Sequence, residues 1–261
     1  MLKRGPSASR APAAARWRPR VRLPLPLRNC LAELIIDALH DPGRRRGLEA
    51  VATIGAGLGK ARPEDLPPGV PHELFEERDG ALEFGGGHGD HAAEFAERAG
   101  RAWRAIRDRP LDPSPAPLET ALAAAARLFD AGLYFEVHEL LEPYWMKAAG
   151  ADRQTLQGLI QIAVGFQHLA NGNLAGARAL LRDGVARTAG GEIGGRDLGA
   201  FAAAVEKCLG RLVSLDAITA REVDWTAVPP FPAAAGARPG PGPDSPTTPP
   251  ATARDRSWNS D

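Results

Sequence analysis

The stretch FDAGLYFEVHELLEPYW, residues 129–145, decides how this chain is read. Its apolar positions recur at helical spacing and do not alternate as a half-exposed strand would require. Gly132 suits the C-cap of a helix that ends there, and a second helix is predicted from Tyr134 to Ala148. On a helical period Phe135, His138, Glu139, Glu142 and Trp145 share one side. Val137, Leu140, Leu141 and Tyr144 take the other, and a helix apolar on both sides belongs inside a protein. The carboxylates of Glu139 and Glu142 are therefore expected among aromatics, where a charge needs a partner. Pro143 cannot donate to the Glu139 carbonyl, so a kink is predicted.

Working outward, Leu118 to Ala131 carries an apolar stripe at Leu118, Leu122, Ala125 and Phe129. Thr155–Ala170, Leu174–Thr188 and Asp197–Leu215 read as three further helices. Short connections predict antiparallel neighbours, and nothing in this half alternates with period two. The expectation is an all-α fold: a small antiparallel bundle of four to five helices over residues 115–228, with no sheet. Between Gln154 and Ala177 there is no charged residue, but Gln157, Gln161, Gln167, His168 and Asn171 are too polar for a lipid-facing span. That pattern suits a helix buried within protein.

Gln157, Gln161 and His168 fall on one stripe of this helix. Packed antiparallel, it would face His138, Glu139 and Glu142 and form a cluster of imidazoles, carboxylates and amides. Two readings stay open. A hydrogen-bonded network would fix helix register by satisfying buried acids. Alternatively, His138, Glu142 and His168 would bind a divalent metal, with Glu139 as general base for hydrolysis of a small substrate. The spacing His138-Glu139-Leu140-Leu141-Glu142 is that of a zincin-like helix whose second His is replaced by Glu. A third arrangement puts Gln154, Gln157, Gln161 and His168 on a wet face.

Phe129 to Glu142 with Trp145, followed by Leu156-Gln157-Gly158-Leu159-Ile160-Gln161, His168 and Gly172-Asn173-Leu174-Ala175-Gly176-Ala177, resembles the bacterial family known as domain of unknown function 309. The resemblance implies a small helical domain of unassigned activity, to which the label of metal-dependent hydrolase is sometimes attached. Residues 1–109 and the proline-rich tail lie outside it.

Residues 28–109 read as a helical extension or small subdomain. Asn29 is the expected cap of a helix through Leu31, Leu34, Ile35, Ala38 and Leu39, which Asp41-Pro42-Gly43 stops. A second helix covers Leu48–Leu58, a short strand is expected near Leu82–Phe84, and a third helix runs from Asp90 through Ile106. Residues 110–117 form a proline-rich linker. The arm 1–27 is net +7, with Lys3, Arg4, Arg10, Arg16, Arg18, Arg20 and Arg22 and no acid. It and the tail 229–261, with nine prolines, are too poor in apolar residues to order themselves.

Composition narrows the remaining classes. Net charge is +0, so nucleic-acid binding rests on the arm alone and ranks behind a protein partner or a homodimer. Two cysteines, Cys30 and Cys208, make no disulfide framework, and no secretory core is present; the expectation is a cytoplasmic protein. Gly55-Ala56-Gly57-Leu58-Gly59-Lys60 fails the phosphate-loop spacing at Ile54 and Ala61. The loop Gly85-Gly86-Gly87-His88-Gly89-Asp90-His91 could ligate a metal, but is equally a turn followed by a helix cap. The function expected is a non-catalytic binding or interaction module, with the metal-dependent hydrolase as the alternative and a divalent metal as the cofactor it would need.

Overall fold

The computed structural model describes residues 22–57, 62–66, 70, 74–84, 89–213 and 223–234. Most of the basic arm, most of the proline-rich tail and residues 85–88 of the glycine-rich loop lie outside them. The chain runs through α1 (Leu25–Asp37), α2 (Pro42–Gly55), β1 (Phe75–Arg78), β2 (Ala81–Phe84) and α3 (Gly89–Ile106). It continues through α4 (Leu118–Asp130), α5 (Tyr134–Lys147), α6 (Gly150–Ala170), α7 (Leu174–Thr188), β3 (Glu192–Ile193), β4 (Arg196–Asp197) and α8 (Gly199–Val213). The protein is predominantly helical.

Local chemistry sets most boundaries. Helix α1 starts four residues before the expected cap at Asn29, because Pro26 in its first turn, after Pro24 at the N-cap, supplies the right φ and needs no donor there. Asp41, read as part of a stop, also begins α2: its carboxylate accepts from Arg44 N at 2.7 Å. At the α4–α5 corner Gly132 has φ +69°, and Leu133 N donates to Leu128 O at 2.9 Å. A matching corner at Gly172, φ +76°, ends α6, and the Asn173 side chain caps α7 by accepting from Gly176 N at 3.0 Å.

The sheetless expectation for the second half needs correction. Gly194 and Gly195, both with positive φ, form a two-residue turn that lets β3 and β4 pair. With two residues in each strand, there was no alternation to detect. Strand β2, expected near Leu82–Phe84, pairs antiparallel with β1.

Helices α6 and α7 pack closely because they meet through glycines. A methyl group built on Gly158 would stand 3.0 Å from Gly184 O, and one on Gly184 would stand 2.9 Å from Gly158 O. The core is continuous from the first block into the second. Leu31, Leu34, Ile35, Phe95 and Ile106 join the same apolar cluster as Leu122, Phe129 and Phe166. Phe129 sits among rings, with Tyr134, Phe166, Phe201 and Phe231 at centroid distances of 5.1, 5.8, 5.8 and 5.5 Å.

Phe231 belongs to the proline-rich tail, so the tail leaves the domain later than composition suggests. Residues 223–234 lie along the core as a strap. Phe231 is buried, its N–H donates to Asp130 at 2.8 Å, and Cys208 Sγ donates to Ala227 O. Among the described residues no helix is long and apolar enough to cross a membrane.

Candidate functional site

Helix α5 divides its acids between two environments. Its fully buried acid is Glu136, which the sequence reading did not single out. Glu136 receives Arg98 Nη2 of α3 at 2.8 and 3.0 Å, with side-chain exposures of 0% and 6% for the acid and the arginine. A signal for Arg98 existed: it lies on the same stripe of α3 as Phe95, Ala99 and Ala102, all buried. A basic residue on a buried stripe demands an acid.

Glu139 and Glu142 are not the buried carboxylates expected; their side chains are 36% and 42% exposed. The apolar side of α5, with Val137, Leu140 and Leu141, faces the core and leaves these acids at its edge. Between them lies His138, whose Nδ1 is 3.2 Å from Glu139 Oε1 and whose Nε2 is 3.9 Å from Glu142 Oε2. One ligand atom from each of the three lies within 4.8 Å of the others. An imidazole and two carboxylates on one turn form a donor set suited to a divalent cation of intermediate hardness.

The other expected members are elsewhere. His168 Nδ1 pairs with Asn173 Nδ2 at 2.9 Å at the α6–α7 corner, and His168 is not in the three-residue group. Gln161 accepts from Arg187 Nε of α7 at 3.0 Å, and Arg187 also donates to Gln154. Gln157 stays half-buried on α6. The amide stripe is thus engaged along α7, so the six-residue cluster expected between α5 and α6 does not assemble. An antiparallel pair fixes which ends meet, but not the rotation of each helix about its axis.

Arginines flank the α5 group. The Arg28 guanidinium of α1 lies 4.1 Å over the Phe135 ring, whose centroid is 6.1 Å from that of His138. Burial first, then the charges of Arg22 and Arg98, lower the pKa of Arg28, while Glu139 and Glu136 oppose them. At the far end of the group Arg153 covers the Trp145 ring at 4.3 Å and donates to Trp145 O at 2.8 Å.

This arrangement defines a helical domain with a half-exposed His/Glu/Glu group on one turn and a buried Arg–Glu pair behind it. Residues 122–180, from within α4 to within α7, match the family described as Domain of unknown function (DUF309). The match includes the α5 group and the α6–α7 corner. No curated protein and no solved structure matches the chain.

Proposed function

We propose that the domain is a non-catalytic binding module whose ligand is a divalent cation held by His138, Glu139 and Glu142. The observation that carries this reading is convergence with access. The three donors lie within 4.8 Å of one another, and their side chains remain between 27% and 42% exposed. Two carboxylates neutralise a divalent charge, and a neutral imidazole adds a strong donor. No deep desolvation opposes loading, so affinity rests on the charges and on the rigidity of α5.

Isothermal titration with Mn²⁺ and Zn²⁺ on untagged protein is the test. The parent should bind one equivalent of cation, and His138→Ala and Glu142→Gln should each weaken it by tenfold or more while keeping the helical signal. Full-strength binding by both variants would refute the assignment.

The metal-dependent hydrolase is the second reading, favoured by one observation. All three donors come from one turn of one helix, which leaves much of a bound cation's coordination sphere to water, as Lewis-acid chemistry requires. His168 is engaged by Asn173, so Glu139 would have to leave the donor set to serve as base. Metal-dependent turnover of an ester, amide or phosphomonoester, lost in Glu139→Gln with cation binding retained, would establish that reading over the module.

A further inference from the structure

We infer that the α5 group takes a small oxyanion, a carboxylate or phosphate group, bound jointly by the cation and by the guanidinium of Arg28. This rests on the cation reading above and extends it to the chemistry of what the cation presents.

Two observations point to the anion. First, Arg28 has donors to spare beside the group: its Nε is buried and has no hydrogen-bond partner, although the side chain as a whole is only half-buried. The guanidinium as a whole is largely open to solvent, and its open edge offers charge-assisted hydrogen bonds to an incoming oxygen. Second, Arg28 is held in place: its plane lies 4.1 Å over Phe135, three residues before His138 on the same helix, so it need not be ordered when the ligand arrives.

Charge balance agrees. Glu139 and Glu142 cancel a divalent cation, and Arg98 is already matched by Glu136. Arg28 then remains as a surplus positive charge with Arg22 close enough to act on it, so a singly charged oxyanion balances Arg28 and a doubly charged one balances Arg28 and Arg22 together. A planar guanidinium and an open metal position offer complementary contacts to two oxygens of one anionic group. Association is non-covalent.

The test is calorimetry on the full chain, first with Mn²⁺ alone, then with inorganic phosphate or acetate added to the Mn²⁺-loaded protein. Phosphate or acetate should bind the loaded parent, bind the cation-free parent at least tenfold more weakly, and lose at least tenfold in Arg28→Gln. Arg28→Lys, which keeps the charge but not the fork, should fall between. Arg28→Gln should take up Mn²⁺ at least as tightly as the parent, because a repelling charge has gone; this also shows that the variant folds. Preference for phosphate or for acetate identifies the source of the anionic group. Equal anion affinity in parent and Arg28→Gln, or Mn²⁺ uptake with binding of neither anion, overturns the inference and leaves the cation site standing. No Mn²⁺ uptake by the parent overturns both.

Discussion

Removing the carboxylate of Glu136 should be among the most damaging single changes in this protein. The acid is 0% exposed, and its partner Arg98, reaching from α3, is 6% exposed. One guanidinium nitrogen bridges both carboxylate oxygens at 2.8 and 3.0 Å, and Arg98 Nε is buried with no partner of its own. At a charge separation of about 4 Å and an effective dielectric of about 20, attraction supplies roughly 4 kcal/mol. Desolvation of two ions offsets much of that, so the intact pair is worth little net. Breaking it is another matter. Glu136→Ala strands a buried guanidinium and should cost about 3–5 kcal/mol. The double change Arg98→Met/Glu136→Leu removes both charges with similar volume, and should recover most of that loss. Urea denaturation of the parent, Glu136→Ala and the double variant measures this directly, with circular dichroism confirming the folded baselines. A cost below about 1 kcal/mol for Glu136→Ala would mean that water reaches the pair and that α3 does not seal it.

Three other outcomes are expected. Gly158→Ala should destabilise by about 1–3 kcal/mol in the same assay, because its methyl would press on the Gly184 carbonyl and force α6 from α7. Phe231→Ala should cost about 3 kcal/mol, at the low end for a phenylalanine, since a strap can settle into the space left; a negligible effect would mean that the strap is undocked in solution. The strap should also respond to acid. Hydrogen bonds from the Thr226 hydroxyl and N–H hold the Asp224 carboxyl below its ordinary value, so the folded turn binds fewer protons than the unfolded chain. Its contribution is complete above the ordinary carboxylate range and lost as pH falls through the lowered value. Trp225 fluorescence should report a transition there, absent in Asp224→Ala.

Periodicity and turn chemistry made much of the fold readable. The span of α7, Leu174–Thr188, follows directly from its apolar spacing, and Gly132 marks the corner ahead of α5. Where reading failed, a tertiary fact was missing. Asn29 looked like a cap because prolines normally argue against a helix, yet in the first turn they begin one. Among the acids of α5 the sequence offered no reason to prefer Glu136 as the buried one; that depends on which side meets α3, and α3 lies in the block outside the family resemblance. The same uncertainty in helix rotation put Gln161 and His168 against α5, when they turn toward Arg187 and Asn173. His138, Glu139 and Glu142 could be grouped in advance because one turn of a single helix holds them together, whatever its neighbours do.

The strap and the Arg98–Glu136 pair together decide how this protein can be cut. Residues 122–180 are what a family model recognises, yet that segment excised would carry Glu136 without its arginine, and Phe129 and Phe166 without Phe201 or Phe231. The stretch that is recognisable and the stretch that can stand alone therefore have different ends. A truncation meant to preserve the domain has to keep α3 on one side and reach past Phe231 on the other. A shorter one should come out of the cell as aggregate, whatever its ligand.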